Sequence, residues 1–137
     1  MKQQRLPRGL RNNNPGNIVK SRTKWQGEVA GSDSRFCTFS SMAYGYRALM
    51  KLLQNYQRVH RLLTIRQLIT RWAPSSENDT ARYVQRVSRM TGYGADERID
   101  LSDKSVATSM AAAISRVENG VAADMDDVVR GWYLLKV

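Results

Sequence analysis

The residue types of this chain leave carboxylates as the candidates for its catalytic groups. Among its 137 residues there is one histidine, His60, and one cysteine, Cys37. A Ser–His or Cys–His catalytic pair would have to use His60, which lies in the basic run RVHR. A zinc site needs several His, Cys or carboxylate ligands. No glycine-rich phosphate-binding loop is present, and Cys37 lies in an alternating stretch that predicts a packed thiol. We therefore expect chemistry based on carboxylates, with no metal and no cofactor.

Glu118 occupies a position that suits a general acid. It lies in the stretch AAAISRVENG at 111–120, which predicts the last turns of an apolar helix closed by Gly120. The negative end of the helix dipole and burial beside Ile114 and Val117 would both favour the protonated carboxyl group. A glycosidase general acid must hold its proton near neutral pH, so this position predicts glycoside cleavage. An exposed surface glutamate before a glycine cap would give the same pattern.

Three further carboxylates could assist Glu118, namely Glu28, Asp33 and Glu77. Most glycosidases that hydrolyse their substrate use two carboxyl groups about 5–9.5 Å apart. The sequence leaves all three open as the second group. Glu77 and Glu28 are also the alternatives to Glu118 as the general acid.

Flat aromatic side chains and amides are the other residue types that a sugar-binding cleft would use. The candidates for substrate binding by residue type are Asn14, Asn17, Trp25, Tyr44 and Tyr46. Each of them has a structural alternative, because asparagine at turns often holds the backbone through its own side chain. We expect that structural role for Asn12 and Asn13, and a core position for Trp72.

The pattern of the chain predicts a single α+β domain over residues 1–137, mainly helical. Residues 1–17 are basic and predict an irregular segment, because Pro-Gly with flanking asparagines favours turns. Residues 18–39 are the one β-like region and predict a small hairpin. Residues 40–137 predict about five helices from apolar spacing of three and four. The expected helix starts are at Ser40 or Ser41, Thr64, Asn78 or Asp79, Ser102 or Asp103, and Asp124.

The charge of the chain is strongly positive and unevenly distributed. The net charge is +10, and residues 1–76 hold 14 Lys and Arg against two acids. Such a half is expected to face a polyanion, either nucleic acid or a bacterial envelope. The basic start lacks the apolar run of a signal peptide, and no segment reaches the ~18 apolar residues of a membrane span. We therefore expect synthesis in the cytoplasm and no membrane span.

Segment 8–18, RGLRNNNPGNI, resembles the opening of phage and prophage proteins that are associated with cell-wall degradation. The resemblance extends through WQG at 25–27, two phenylalanines, GYRA at 45–48 and WAP at 72–74. It therefore covers most of the chain. It implies a bacteriophage protein whose partner is peptidoglycan, acting in the periplasm or wall after release or as a virion component.

The same order of motifs, Asn-Pro-Gly-Asn-Ile, Trp-x-Gly and Phe-x-x-Phe before a helix, is similar to a segment of flagellar-type glucosaminidases. In those enzymes the segment follows a catalytic helix that ends in Glu-x-Gly. Here the matching helix ends at Glu118-Asn-Gly, at the other end of the chain. The resemblance therefore implies a circularly permuted lysozyme-like domain, which folds can tolerate when the chain ends lie close together.

Segment 77–87, ENDTARYVQRV, resembles the Glu-Thr-Arg-x-Tyr-Val motif of lytic transglycosylases. The spacing from threonine to Tyr-Val agrees, whereas Glu77 is displaced by two residues. In those enzymes this helix borders the cleft, so the resemblance implies that Tyr83 lies beside the scissile bond.

Together these features predict an enzyme that cleaves the glycan strand of peptidoglycan with a general-acid glutamate. A lytic transglycosylase needs only one carboxyl group, which favours that route, while a muramidase-type hydrolysis stays open. Two alternatives belong to other classes. The chain could be a non-catalytic virion or wall-binding protein, or a basic nucleic-acid-binding protein, although it carries no helix-turn-helix or RNA-binding signature.

Overall fold

The computed structural model describes residues 6–136 and is mainly helical, with one small antiparallel hairpin. The predicted α+β class is therefore confirmed. In chain order the elements are α1 (Arg8–Arg11), β1 (Glu28–Val29), β2 (Thr38–Phe39), α2 (Met42–His60), α3 (Ile65–Trp72), α4 (Thr80–Thr91), α5 (Lys104–Asn119) and α6 (Met125–Leu134).

All five predicted helices are present and begin where polar caps were expected. The side chains of Ser41, Thr64, Asp79, Asp103 and Asp124 each accept a hydrogen bond from a backbone N–H in the first turn of α2, α3, α4, α5 and α6, respectively. Such caps satisfy donors that have no partner within the helix. Gly92 and Gly120 end α4 and α5 in the left-handed conformation, which glycine adopts without strain.

The prediction of an irregular segment over 1–17 was wrong at residues 8–11, where the chain forms the one-turn helix α1. Residues 1–5 lie outside the described part. The turn forms because Gly9 packs directly against the end of α5. A Cβ atom at Gly9 would lie 2.5 Å from Oδ1 of Asn119. Tertiary packing, which local sequence does not reveal, therefore selects this helix.

The hydrophobic core is centred on α2. Its buried face carries Tyr46, Leu49 and Leu53, which follow the expected helical spacing. The buried side chains of the other helices that complete this cluster include Ile65, Leu68, Ile69, Val84, Val87, Met110, Ile114, Val128 and Trp132. The core therefore fixes α4 and α5 relative to each other.

The hairpin region forms a second, smaller apolar cluster against α2. Ile18, Cys37, Phe39 and Ala48 are its buried members. Glu28 pairs with Phe39 in the hairpin, and an isolated bridge joins Val19 to Phe36. Burial raises the pKa of the Cys37 thiol to about 11, which confirms the prediction of a packed thiol.

None of the helices within residues 6–136 has the length and apolar character needed to cross a membrane.

Candidate active site

The side chain of Glu118 lies half-buried in the last turn of α5 and lines a cleft of about 400 Å³. Its two carboxylate oxygens have different partners. Oε1 accepts a hydrogen bond from Nδ2 of Asn17 at 2.9 Å, and Oε2 accepts one from the hydroxyl of Tyr83 at 2.8 Å. Within residues 6–136 the carboxylate has no ion pair. Glu118 is thus an acid fixed by neutral donors at the wall of a groove.

Asn17 reaches Glu118 because the preceding turn is tightly organised. Its backbone is in the left-handed conformation, with φ of 51°. Asn14 stabilises this turn, because its amide donates to the carbonyls of Ile18 and Cys37 at 3.0 and 2.9 Å and accepts from the Ile18 N–H at 2.9 Å. The prediction that Asn14 binds substrate was wrong, because its side chain is fully buried and its amide is already bonded.

The end of α5 is joined to the same turn through Asn119. Its Nδ2 donates to the carbonyl of Pro15 at 2.9 Å and to the carbonyl of Ser115 at 2.9 Å. These bonds link positions 104 residues apart in the sequence. The N-terminal NPGN motif therefore lies against the helix end that carries Glu118.

Tyr83 lies on the buried face of α4 and is 6% exposed. Burial, together with the nearby Glu118 carboxylate, raises the pKa of Tyr83 far above its ordinary value. The phenol therefore stays protonated at neutral pH and serves as a hydrogen-bond donor to Glu118. The expected location of Tyr83 beside the scissile bond stays a prediction.

The walls of the cleft include four aromatic side chains among polar and aliphatic residues. Trp25, Phe36, Tyr56 and Trp72 all line it, together with Ile18 and Leu52. The rings of Tyr56 and Trp72 meet edge to face, with centroids 6.4 Å apart. Flat apolar faces of this kind can pack against the faces of sugar rings. Trp25 and Asn17 line the cleft, and their role in substrate binding stays a prediction. Trp72 is partly buried, packs against both apolar clusters and also lines the cleft.

Two tyrosines predicted to bind substrate do not line the cleft. Tyr46 is fully buried, and its hydroxyl lies 2.9 Å from Oγ of Ser115. Tyr44 is half-buried and packs against the hairpin cluster, where a Cβ atom at Gly27 would overlap its ring. The substrate-binding prediction was therefore wrong for Tyr46, whose side chain is covered by packing, and for Tyr44, whose ring packs against the hairpin cluster outside the cleft.

Glu28 and Asp33 have structural roles, which corrects their prediction as catalytic groups. The Glu28 side chain is 5% exposed, pairs with Lys24 at 3.5 Å and accepts from the Trp25 N–H at 3.1 Å. Asp33 is bonded to the guanidinium of Arg8 at 2.6 and 2.8 Å. That guanidinium and the backbone N–H of Phe36 hold the pKa of Asp33 well below its usual range. Neither carboxylate lines the cleft with Glu118.

Glu77 is the other carboxylate that lines the cleft. It is exposed and lies in the turn after α3, where its backbone N–H donates to the carbonyl of Pro74 at 3.1 Å. It is therefore available to a substrate, in contrast to Glu28.

The sequence analysis missed Arg35 and Tyr56 as cleft residues. Arg35 lies in the turn-rich hairpin region, where no periodic sequence pattern predicts which side chains face a cleft. Tyr56 follows the apolar spacing of α2, which predicts a core position. The structural roles expected for Asn12 and Asn13 are confirmed, because their amides donate to Asp33 and to the carbonyl of Phe39, both at 3.0 Å. Within the described residues no group of three His, Cys, Asp or Glu side chains could hold a metal ion.

Comparison with known proteins identifies a relative from a bacteriophage. The sequence is 33% identical over 129 residues to Protein P5 of Pseudoalteromonas phage PM2, an alignment that covers 91% of this chain and 79% of the relative. The sequence matches no protein-family model.

Proposed function

The chain belongs to the same family as Protein P5 of Pseudoalteromonas phage PM2, and we propose that it cleaves the glycan strands of bacterial peptidoglycan. The observation that carries this proposal is the Glu118 carboxylate, held between Asn17 and Tyr83 in an aromatic-lined cleft. Glu118 is the general acid of the proposed reaction.

The two hydrogen bonds of Glu118 leave lone pairs on its carboxylate that can bind and release a proton. A carboxylate offers about four lone-pair sites, of which Asn17 and Tyr83 use one on each oxygen. In the proposed first step, protonated Glu118 donates its proton to the glycosidic oxygen as the bond from that oxygen to the anomeric carbon breaks. The leaving sugar departs as an alcohol and Glu118 becomes a carboxylate.

The second step restores the acid by one of two routes. In the lytic transglycosylase route the carboxylate takes the proton of the sugar's own 6-hydroxyl, whose oxygen then bonds to the anomeric carbon. This route needs no second carboxyl group. In the hydrolytic route water supplies both the proton and the new bond, and Glu77 is the cleft residue that would assist as the second carboxylate.

The contact between the two ends of the sequence supports a permuted lysozyme-like arrangement. In the glucosaminidases that the sequence resembles, the Asn-Pro-Gly-Asn segment follows the catalytic helix along the chain. Here the same segment contacts the end of α5 through Asn17 and the Pro15 carbonyl. A segment that follows the helix along the chain in those enzymes and contacts the helix end here is the arrangement that a circular permutation would produce.

The relative comes from a bacteriophage, which supports a phage context for this chain. We propose that the protein reaches peptidoglycan from the virion or after release at lysis. A non-catalytic wall-binding role in the virion is the competing outcome of the test below.

The test is digestion of purified sacculi by the wild-type protein and by Glu118→Gln. A general acid contributes about 10²- to 10⁴-fold, so Glu118→Gln should lose at least ~99% of the solubilising activity. Glu97→Gln is the matched control, because Glu97 is exposed and lies outside the cleft. Binding to sacculi without solubilisation by the wild type would instead indicate the non-catalytic role.

A further inference from the structure

We propose that Arg35 is a specificity residue of the same cleft, which binds a carboxylate carried by the glycan substrate. This inference rests on the proposed function and adds the charge of the substrate that the cleft prefers.

Arg35 lines the cleft together with Glu118. Its backbone is fixed at both ends, because its N–H donates to Oδ1 of Asp33 at 2.9 Å and its carbonyl accepts from the N–H of Lys20 at 2.9 Å. Its guanidinium lies 5.2 Å from the centroid of the Phe36 ring, another wall residue. The ring and the fixed backbone place a positive charge at the edge of the groove.

Arg35 differs in its charge partners from Arg8, the other arginine beside the Phe36 ring. Arg8 also stacks on the Phe36 ring, at 4.4 Å, but its guanidinium is neutralised by two hydrogen bonds to Asp33. Within residues 6–136, the guanidinium of Arg35 has no ion pair, neither with Glu118 nor with Glu77. An unneutralised guanidinium in a binding groove is suited to a carboxylate, with which it can form two parallel hydrogen bonds.

Peptidoglycan offers carboxylates of two kinds. One is the lactyl group of muramic acid, which becomes a free carboxylate where the peptide has been removed. The other is the set of carboxyl groups on the peptide itself. A neutral polymer of N-acetylglucosamine has neither, so a cleft that uses Arg35 should discriminate against it.

The experiment measures cleavage and binding for Arg35→Gln against Arg22→Gln. Arg22 is exposed in the same region but does not line the cleft, so it controls for general charge. The substrates are intact sacculi, strands stripped of peptide by an amidase, and sacculi whose carboxyl groups have been converted to neutral amides. Each arginine substitution is also combined with Glu118→Gln, and co-sedimentation of these double variants with each substrate measures binding without cleavage.

On intact sacculi Arg35→Gln should raise KM roughly tenfold with kcat nearly unchanged, because a charged hydrogen bond made in the ground state is lost. On the amidated sacculi Arg35→Gln and the wild type should be equal. The lactyl group of intact strands is amide-bonded to the peptide, so a defect on intact sacculi reports the peptide carboxylates. A defect that also appears on stripped strands shows that the free lactyl carboxylate binds at the same site, and a defect that disappears there shows that the ligand is the peptide alone.

The two proposals fail in different ways. Equal KM and equal sedimentation for Arg35→Gln and Arg22→Gln on every substrate, with wild-type cleavage intact, would overturn the role of Arg35 alone. Absence of wild-type cleavage, with sedimentation still dependent on Arg35, would overturn the reaction and retain the carboxylate site.

Discussion

The two oxygens of the Glu118 carboxylate are held by residues that are distant in the sequence. Asn17 is 101 positions away and Tyr83 is 35 positions away. The orientation of the acid therefore depends on three separate parts of the fold. Loss of either donor should disturb the position of the carboxylate without removing its chemistry.

Replacing Tyr83 with phenylalanine removes one donor and keeps the ring. We expect the activity on sacculi to fall roughly tenfold, because one hydrogen bond to the carboxylate is lost. The rate of muropeptide release measures this effect. Tyr133→Phe is the control, since that hydroxyl is on the surface and bonds to Lys104 at 2.9 Å. Equal rates for wild type and Tyr83→Phe would show that the phenol does not position Glu118.

The thiol of Cys37 gives a prediction on pH. Its pKa of about 11 in the folded state, against 9.0 for an ordinary thiol, means that the thiolate is scarce at pH 8. We expect thiol reagents to modify the folded protein slowly and the urea-unfolded protein quickly, because the thiolate is the reactive form.

The raised pKa of Cys37 also predicts how the free energy of unfolding changes with pH. Between pH 9 and 11 the folded state keeps a proton that the unfolded state releases, so the contribution of Cys37 to stability is lost as the pH rises through that window. Cys37→Ala is the matched variant, because it removes the titrating group. Rapid modification of the folded wild type at pH 8 would contradict the account of a buried thiol.

Residue type alone predicted part of the site. The sequence predicts the helix that carries Glu118 and names the amide of Asn17 and the ring of Trp25, which line the cleft with it. Asn14 and Tyr46 were assigned to substrate because the pattern does not reveal what a polar atom touches. The helical spacing of Tyr46 and Leu49 also predicts a core position for Tyr46, and Tyr46 lies in the core cluster.

At the scale of elements, helix ends were predictable and the N-terminal turn was not. Serine, threonine and aspartate caps have a local physical cause, so their positions follow from sequence. The segment at 12–17 has its form because it is packed between α2 and α5. Asn14 holds it internally, and Gly45 of α2 lets it approach. Such long-range contacts leave no periodic signal.

Gly45→Ala tests this close approach. A Cβ atom at this position would lie about 2.0 Å from the carbonyl oxygen of Asn13. Alanine favours a helix over glycine by about 1 kcal/mol, yet we expect the free energy of unfolding to fall by about 1–3 kcal/mol because the overlap forces the backbone apart. Urea unfolding measures the change. At Gly94 a Cβ atom would meet its nearest neighbour at 3.5 Å, so Gly94→Ala is the control. A more stable Gly45→Ala would contradict the packing.

At the scale of the whole molecule, positive charge is concentrated in residues 1–76 of the sequence. The two acids in residues 1–76, Glu28 and Asp33, are each paired with a base from the same half. They therefore offset little of the excess of arginine and lysine there. The expected polyanion partner of this half stays a prediction.

Binding to sacculi should therefore depend strongly on salt. We expect the amount of Glu118→Gln protein that co-sediments with sacculi to fall severalfold between about 50 and 300 mM NaCl, because the screening length shrinks to less than 10 Å. The same protein titrated with duplex DNA at each salt concentration separates wall binding from general attraction to phosphate. Salt-independent sedimentation would show that aromatic and amide contacts dominate binding.

The most direct measurement is mass spectrometry of the fragments that the wild-type protein releases from purified sacculi. Cleavage by Glu118 predicts glycan fragments with new sugar ends, either 1,6-anhydro ends from the single-carboxylate route or reducing ends from hydrolysis. These fragments should be missing after treatment with Glu118→Gln and present after treatment with Glu97→Gln. Intact strands after exhaustive digestion, or fragments cut only at peptide or amide bonds, would contradict the assignment of this cleft to glycan cleavage.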